Sequence, residues 1–513
     1  MKRPLAVTGL AMLLFSVILC PFADTSVAIL TAVISYSLFM ISVVIPKLRK
    51  GYILPTVLLA LFISSVMFYA VQCDYEKLSA LEGNDADIVC EVKEEPVFNE
   101  KYGRYYCKAE VSTIDGVKYT GNIRLSFNGT YNNIDPAKMK IGNTLAFSGY
   151  LYKAGGQERE IINYFKSEKI YSGVYSIKNL TVRENEIKPV GYYGNELRKF
   201  ISQSFRESFS PDTAGLLTAL LTGDKAYVSD EVYDSFKNSG VAHLMAVSGM
   251  HLAVLVMFLD LFIKKLRRRH KKLRYIILVF FIFFFMFMAS FSPSVVRAGA
   301  MMLILLTGQL IDKRADSLNS LGFACICILA ANPFSAMSAG FLLSVLSTLA
   351  IITAAVPFCN RHRYFICDKL RLYGRFSFAA GRLVMLSLSI SICVMVYTLP
   401  AMAVFFGGIS LISPVANLLF LPVNTIIIVL AFISAILCAV DLMPSPLVFF
   451  IEKISAYCLG VAEVLGGTDR FILEIKTPLA VAASFLVPFV LYLAIIAGKK
   501  LYKKYKAKKR KPL

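Results

Sequence analysis

Motifs for nucleotide hydrolysis and for zinc chemistry are missing from this sequence. It has no Gly-x-x-x-x-Gly-Lys-Ser/Thr loop, so it lacks the phosphate-binding loop that nucleotide-driven proteins use. Its eleven cysteines include no Cys-x-x-Cys pair, and four histidines are too few for a histidine-rich zinc centre. Gly-x-Ser-x-Gly, the nucleophile turn of α/β-hydrolases, is also absent. We therefore expect no cofactor, no metal site and no catalytic residue, and we do not expect an enzyme.

Long apolar segments are what the sequence has in excess. Hydrophobic residues make up 57% of its 513 residues, whereas a soluble domain has about 45–50%. A run of about 18–20 apolar residues can cross the hydrocarbon core as a helix. We therefore predict a polytopic α-helical membrane protein with about 12 spans. The predicted spans are residues 5–20, 27–45, 52–71, 241–263, 275–291, 294–311, 318–332, 335–357, 383–405, 410–440, 445–466 and 479–498.

The basic residues follow the apolar segments. The formal net charge is +21, and clusters of Lys and Arg flank apolar runs near residues 2–3, 46–50, 264–274, 361–382 and 499–511. Cytoplasmic loops of membrane proteins carry such an excess. We therefore predict that these clusters and both termini lie in the cytoplasm. The basicity then reports topology and is not evidence for nucleic-acid binding.

Residues 74–190 interrupt the apolar pattern and predict a small β domain. Apolar and polar residues alternate in five short segments that turn residues separate, and a short helix is predicted at 158–168. Five strands in about 100 residues are typical of a small barrel such as the OB-fold. Because three spans precede it, the OB-like barrel is predicted to be extracytoplasmic. The predicted strands are residues 88–93, 105–114, 121–127, 144–152 and 169–182.

Residues 191–240 predict short helices outside the main spans. Residues 192–209 place apolar side chains on one face, which is typical of a helix in the membrane interface. Ser210 and Pro211 predict the start of a helix over 212–221, and Ser229 predicts the start of another. The predicted domains are a three-helix membrane anchor (1–73), the extracytoplasmic OB-like domain (74–190), interfacial amphipathic helices (191–240), a transmembrane channel domain (241–498) and a basic cytoplasmic tail (499–513).

Cys90 and Cys107 fall in the β domain, whereas most other cysteines lie in apolar runs. They could pair across a hairpin if the domain faces an oxidising compartment. Two unpaired cysteines in strands fit the sequence equally well. A disulfide between them is one of two open alternatives.

Polar residues inside apolar segments are functional candidates, because a bilayer makes them unfavourable. His243 and His251 are eight residues apart, about 80° around a helix, with Ser248 and Gly249 between them. A zinc site or a Ser/His catalytic pair would need further ligands or an acidic partner, and the sequence offers none nearby. The pattern favours a tightly packed helix start or the lining of a channel.

Other polar candidates stand at or near the ends of spans. Asp224 and Lys225 lie at a predicted membrane boundary, where Asp224 could pair with Lys225 or with Arg297. Arg297 lies near the start of its span and needs an acidic partner, carbonyl groups or water. Asn319 and Asn417 can form hydrogen bonds between helices. We assign these residues to the channel lining or to packing between helices.

Three blocks of the sequence resemble the ComEC competence-channel family, whose members import single-stranded DNA across the bacterial inner membrane. The first block reads ALLTGDK at 219–225, followed by SGVAHLMAVSGMHLAVL at 239–255. The second extends over 292–350 and begins SPSVVRAGAMM, and the third is PAMAVFFGGISLISPVANLLFLP at 400–422. The resemblance covers most of the chain.

The resemblance implies a channel in the bacterial cell membrane that takes single-stranded DNA into the cytoplasm during natural transformation. It also implies a lipid bilayer, a separate DNA receptor and a cytoplasmic ATPase or translocase as partners. Many family members end in a metallo-β-lactamase-like domain that needs a His-x-His-x-Asp-His cluster, and the sequence has no such cluster. We therefore expect no metal-dependent nuclease activity from this chain, and any nuclease to be a separate polypeptide.

The OB-like domain has side chains suited to single-stranded DNA. OB barrels hold single strands by aromatic stacking and basic groups. An alternative is that several of the aromatic side chains form the barrel core, which would leave a structural or docking module. The predicted DNA-binding residues are Lys101, Arg104, Tyr105, Lys108 and Arg124.

Two other functions remain open at this stage. One is a membrane-embedded enzyme that acts through His243, Ser248 and His251. The other is a transporter of another anionic polymer, which would carry the same spans and the same basic loops.

Overall fold

The protein is described by a computed structural model in which two compact units are each built from two stretches of sequence. Unit 1 is Met1–Gln203 with Leu252–Phe341, and unit 2 is Ser204–His251 with Leu342–Leu513. The described residues are 3–21, 24–45, 53–99, 102–128, 135–156, 158–266, 270–313, 315–360, 375–467, 471–475, 477, 481, 483 and 484.

Helices dominate the described chain, as the apolar segments predict. Apart from residues 241–248, the predicted spans up to residue 466 are helical, with shifted bounds. The helices are α1 (Pro4–Leu19), α2 (Thr25–Val44), α3 (Ile53–Ser79), α4 (Arg159–Ser167), α5 (Val190–Ser208), α6 (Pro211–Thr222), α7 (Asp230–Asn238), α8 (Gly249–Phe262), α9 (Lys271–Met288), α10 (Pro293–Leu310), α11 (Ser317–Ala331), α12 (Ala339–Ala350), α13 (Arg375–Phe406), α14 (Ser413–Cys438) and α15 (Ser445–Gly466).

Six helices among the described residues are long and apolar enough to cross a membrane. Helices α1, α8 and α11 are apolar but shorter, with 10–17 residues. The predicted count of about twelve spans is therefore not confirmed, and most of residues 479–498 lie outside the described part of the chain. The six candidate spans are Thr25–Val44, Ile53–Ser79, Pro293–Leu310, Ala339–Asn360, Gly381–Phe406 and Ser413–Cys438.

Small residues bring α1 close to α11 in unit 1. A Cβ atom added to Gly322 would overlap the carbonyl oxygen of Leu5, and one added to Gly9 would overlap the carbonyl oxygen of Gly322. Helices in membranes commonly approach through small residues, since lipid provides no hydrophobic force between them. An ion pair between Arg3 and Asp316, 3.0 Å from Nε to Oδ2, joins the same two helices.

The β domain is a closed barrel of five strands. Strand β1 pairs with both β6 and β3, and the order β1-β6-β7-β5-β3 returns to β1, with only β5 and β7 parallel among the paired strands. The five predicted strands are confirmed, and the OB-fold assignment is supported by this closure. The strands are β1 (Asp85–Val92), β2 (Val97–Asn99), β3 (Arg104–Ile114), β4 (Val117–Lys118), β5 (Asn122–Phe127), β6 (Thr144–Tyr152) and β7 (Ile170–Arg183).

The barrel core includes the two cysteines of the β domain. Cys90 and Cys107 are both free and buried, and the Cys107 thiol donates to the carbonyl oxygen of Glu94 at 3.1 Å. Burial raises the pKa of the Cys90 thiol to about 12. Both thiols therefore act as small apolar groups of the core, which is the unpaired alternative.

One predicted span has a different backbone from the one expected. Residues 241–263 are not one helix, because a short 3₁₀ turn at Ala242–Met245 is followed by extended backbone before α8 starts at Gly249. Within the predicted span at residues 410–440, Pro414 and Pro422 do not divide α14 into two half-helices. Pro414 lies in the first turn of α14, where its missing N–H removes no helical bond, and Pro422 lies inside a continuous helix.

A buried lysine joins the barrel to the membrane helices of unit 1. The Lys166 Nζ of α4 donates to Gln72 Oε1 of α3 at 2.9 Å and lies 3.8 Å from the centre of the Tyr75 ring. Asn332, at the end of α11, donates to the carbonyl oxygens of Lys166 and Ser167. Hydrogen bonds and a cation–π contact therefore fix one end of the barrel to α3 and α11.

This lysine predicts a rise of stability at high pH. Burial lowers the pKa of Lys166 from 10.5 to about 8. Between these values the unfolded chain binds more protons than the folded chain, so the free energy of unfolding rises with pH across this window, by about 3 kcal/mol in total. Below pH 8 the full penalty for burying the charge is present. Thermal unfolding of the detergent-solubilised protein between pH 7 and pH 10.5 measures this rise in stability.

The matched variants isolate Lys166 from other groups that titrate at high pH. Lys166→Met should lack this rise in Tm, whereas Lys178→Met, which changes an exposed lysine of the barrel, should retain it. Parallel profiles for the wild type and Lys166→Met would show that Lys166 stays protonated throughout.

Candidate functional site

The two halves of the first motif block meet in unit 2. Helix α6 ends at Thr222, and Gly223 follows in the left-handed conformation with φ 82°. A Cβ atom at Gly223 would lie 3.2 Å from the side chain of Val247, so only glycine fits both the turn and this approach. The two halves of the block, which are apart in sequence, therefore contact each other through Gly223 and Val247.

Asp224 and Lys225 have separate partners in this turn. The Asp224 carboxylate accepts a hydrogen bond from the backbone N–H of Ala226 at 2.9 Å. The ammonium of Lys225 lies 4.8 Å from the centre of the Tyr233 ring in α7. Asp224 therefore stabilises the turn and Lys225 packs against α7. Neither contact is the pairing of Asp224 with Lys225, which was one of two alternatives for Asp224.

His251 caps the helix on which it lies. Ser248 immediately precedes α8, and its backbone N–H donates to His251 Nδ1 at 3.4 Å. A side chain of the first turn that accepts from the amide before the helix has the geometry of a capping box. His251 is fully buried, so its ring is held as a neutral acceptor at Nδ1.

The break in the helix before Gly249 also corrects the predicted placement of His243 and His251 about 80° apart on one helix. His243 lies in the 3₁₀ turn and His251 in α8, so they do not share one helical face. The hydrogen bond from Ser248 comes from its backbone amide. Ser248, Gly249 and His251 are therefore arranged as a helix start, which is the packing alternative.

Arg297 is a buried cation of α10 in unit 1. Its side chain is 7% exposed, and one guanidinium nitrogen lies 3.4 Å from Met301 Sδ. The Cys325 thiol of α11 is close enough for an electrostatic interaction. The structure therefore buries Arg297 beside polarisable sulfur atoms of unit 1.

Asn319 and Asn417 have different roles. The Asn319 Oδ1 accepts from the backbone N–H of Ala6 at 3.2 Å, so it satisfies the first turn of α1 from α11. Asn417 donates to Ser413 Oγ at 3.4 Å within α14. The prediction of a bond between helices is thus confirmed for Asn319, whereas the bond of Asn417 is local.

Tyrosines and arginines form one outer surface of the barrel, which we call the tyrosine face. Arg124 of β5 pairs with Gly173 of β7, and Gly173 pairs on its other side with Tyr152 of β6. The ring of Tyr152 lies flat against Gly173, where any side chain would overlap it. The tyrosine face consists of Arg104, Tyr106, Arg124, Tyr150, Tyr152 and Tyr175.

Side-chain contacts within the tyrosine face form two groups. The Arg124 guanidinium lies 3.9 Å from the centre of the Tyr106 ring, and the Tyr175 ring lies 5.0 Å from Tyr150 and 5.5 Å from Tyr152. Burial raises the pKa of the Tyr152 hydroxyl, and the nearby Arg124 acts in the opposite direction. The surface thus offers aromatic rings and guanidinium groups side by side.

Only part of the predicted DNA-binding set lies on this face. Arg104 and Arg124 do, and Lys101 lies outside the described residues. Tyr105 points into the barrel, where its ring stacks on Phe127 with centres 5.6 Å apart. Lys108 is held by Glu168 at 3.3 Å and Glu94 at 3.5 Å.

The correction at Tyr105 has a simple cause. Side chains alternate between the two faces of a strand. Cys107 and Ala109 of β3 face the core, so Tyr105 does too, and Tyr106 is the outward ring. Tyr175 was not among the predicted residues, and only its pairing with Tyr150 across β6 and β7 brings it to this face.

The family model described as "Competence protein" matches residues 220–500, more than half of the chain. The chain belongs to the competence protein family. The matched region includes the turn at Gly223 and the helix start at His251.

A curated relative supports the membership. This competence protein is 28% identical over 264 residues to ComE operon protein 3 of Bacillus subtilis (strain 168). The match covers 52% of the chain and 31% of that relative. No solved structure matches the chain. Membership and the long apolar helices together make this competence protein a membrane protein.

Proposed function

We propose that this competence protein is a membrane channel that carries single-stranded DNA into the cytoplasm during natural transformation. The family match over residues 220–500 is the observation on which the proposal rests. Both termini would be cytoplasmic and the barrel extracytoplasmic, as the charge distribution predicts. A separate DNA receptor and a cytoplasmic ATPase or translocase would complete the uptake system.

The barrel would receive the single strand on the tyrosine face. Unpaired bases stack on aromatic rings, and guanidinium groups add charge and cation–π contacts. On the tyrosine face, the Tyr175 ring is exposed, and Arg124 lies against the half-buried ring of Tyr106. A duplex hides the faces of its bases, so the preference for single strands follows from the same geometry.

Transport is favoured over the enzyme alternative by the role of His251. A nucleophilic Ser248 would need its hydroxyl beside a general base. The hydrogen bond to His251 instead comes from the backbone amide of Ser248. His251 therefore stabilises the start of α8, and the helices of a channel wall need such stabilisation as well.

Binding of a labelled oligonucleotide to the full-length protein in lipid nanodiscs tests the tyrosine face. Tyr152→Ala combined with Arg124→Ala should weaken binding of a deoxythymidine oligonucleotide of about 16 nucleotides at least tenfold, since each lost base stack contributes about 1–3 kcal/mol. Fluorescence anisotropy at low and moderate salt gives the Kd values.

The control variant removes one aromatic ring and one basic side chain outside the tyrosine face. Tyr193→Ala with Lys138→Ala changes an exposed tyrosine of α5 and an exposed lysine between β5 and β6. It should bind as the wild type does. Equal affinity of the Tyr152/Arg124 variant and the wild type, or equal binding of a duplex of the same length, would reject this role.

A further inference from the structure

A cavity of about 690 Å³ opens in unit 1 between the end of α8, the start of α9 and the end of α10. We call it the basic cavity. Its charged lining consists of Lys264, Lys265, Lys271, Arg274, Asp312 and Lys313. Five cations thus surround one carboxylate, in a chain whose charge bias predicts that this end of the three helices is cytoplasmic.

Two of the five cations are already neutralised. Arg274 forms a two-point ion pair with Asp260, at 2.6 and 3.1 Å, and donates to Gln309 at 3.2 Å. Lys271 lies 2.8 Å from both carboxylate oxygens of Asp312. These pairs fix the walls of the cavity, because an arginine held from two sides has little freedom.

Three cations lack such a partner. Among the residues that the structure describes, no carboxylate lies within ion-pair distance of Lys264, Lys265 or Lys313. All three side chains are exposed. The basic cavity therefore has about three uncompensated positive charges around a space that a phosphate group with its substituent fits.

Large apolar side chains stand exposed on or directly after the same three helices, within a few residues of the cavity lining along the chain. Phe262 of α8 is 70% exposed, Ile276 and Phe280 of α9 are 60% and 73% exposed, and Ile311 after α10 is 56% exposed. Side chains of this kind contact lipid chains in membrane proteins. A ligand with an anionic head and apolar chains satisfies both observations, whereas a nucleic-acid strand or a free anion leaves the apolar groups uncovered.

We propose that the basic cavity binds the headgroup of an anionic membrane phospholipid, such as phosphatidylglycerol. The lipid phosphate lies among Lys264, Lys265 and Lys313, and the acyl chains lie along α8, α9 and α10. Basic pockets between membrane helices at the cytoplasmic surface bind anionic headgroups by these forces. The site is independent of the role in DNA transport.

Retention of lipid by the purified full-length protein tests the site. The protein in neutral detergent is titrated with phosphatidylglycerol, with phosphatidylcholine and with inorganic phosphate, and bound lipid is counted by native mass spectrometry. The triple variant Lys264→Gln, Lys265→Gln, Lys313→Gln should bind phosphatidylglycerol at least tenfold more weakly than the wild type, because each basic side chain contributes about fivefold. Replacing the same lysines with arginine should keep the affinity.

A matched control and competitors separate the outcomes. Changing Lys118, Lys138 and Lys178, three exposed lysines of the barrel region, to glutamine should leave lipid binding unchanged. The proposal is overturned if the cavity variant binds phosphatidylglycerol as the wild type does, or if phosphatidylcholine binds equally well. Displacement of the lipid by equimolar inorganic phosphate would overturn the headgroup assignment, and displacement by an equimolar oligonucleotide would assign the cavity to DNA instead.

Discussion

An alanine in place of Gly322 should lower the apparent Tm of the protein by about 2–5 °C. The added Cβ atom would overlap the backbone of Leu5 and Ala6, and backbone atoms cannot turn aside as a flexible side chain can. The helices α1 and α11 would have to separate. Overpacking of this kind costs about 1–3 kcal/mol and occasionally more. Thermal unfolding in detergent measures it.

A glycine with open space provides the control for this change. Nothing lies within 4 Å of a Cβ atom added to Gly460 in α15, so Gly460→Ala should be neutral or slightly stabilising through helix propensity. Gly9→Ala, on the facing helix, should repeat the loss at Gly322. A Gly322→Ala protein as stable as Gly460→Ala would mean that α1 does not pack against α11 at this point.

Alanine in place of Glu452 should destabilise unit 2 by about 3 kcal/mol, since three hydrogen bonds to a charged group are lost. The carboxylate of this α15 residue accepts from the Ser210 backbone at 2.7 Å, from the Ser210 hydroxyl at 2.9 Å and from the Thr213 hydroxyl at 2.7 Å. It therefore stabilises the start of α6, in which all of residues 213–222 are buried. Tm in detergent and trypsin cleavage after Arg206 report the loss.

The matched control lies on the same helix. Glu463 is exposed, so Glu463→Ala should change stability by less than about 0.5 kcal/mol and leave cleavage at Arg206 unchanged. If Glu452→Ala behaves as Glu463→Ala does, the start of α6 does not depend on Glu452. The helices α6 and α15 would then be joined by apolar packing alone.

The local elements could be predicted from the sequence because their signals are local. Alternating residues gave all five barrel strands within a few residues, and the helix beginning after Ser229 has the predicted cap, in which the Ser229 hydroxyl accepts from the Val232 amide. Ser210 was also predicted to start a helix. Its hydroxyl is bound by Glu452, 242 residues away, and no local pattern indicates so distant a partner.

Where the predictions failed, tertiary contacts decided the outcome. Residues 241–248 are apolar enough for a span, yet the contact of Val247 with Gly223 favours a turn there. Pro422 lies inside the continuous helix α14, because neighbouring groups in a bundle tolerate a proline within a helix. Neither result follows from hydropathy, which counts apolar residues and ignores what they touch.

The candidate site was predictable in composition but not in arrangement. Aromatic and basic residues of the barrel were expected to hold DNA, and Arg124 does lie against the half-buried ring of Tyr106. Lys108 has two carboxylate partners, of which Glu168 is 60 residues away along the chain. Strand register decides which residues share a face, and the bulges between β6 and β7 shift that register beyond what sequence alone indicates.

Deletion of the gene, followed by separate assays of DNA bound to the cell surface and DNA delivered to the cytoplasm, tests the transport role most directly. We expect surface binding to persist and delivery to fall to background, with delivery restored by the wild-type gene and also by Ser248→Ala, which retains the backbone amide that His251 accepts from. Normal delivery of DNA to the cytoplasm in the deletion strain would contradict the account.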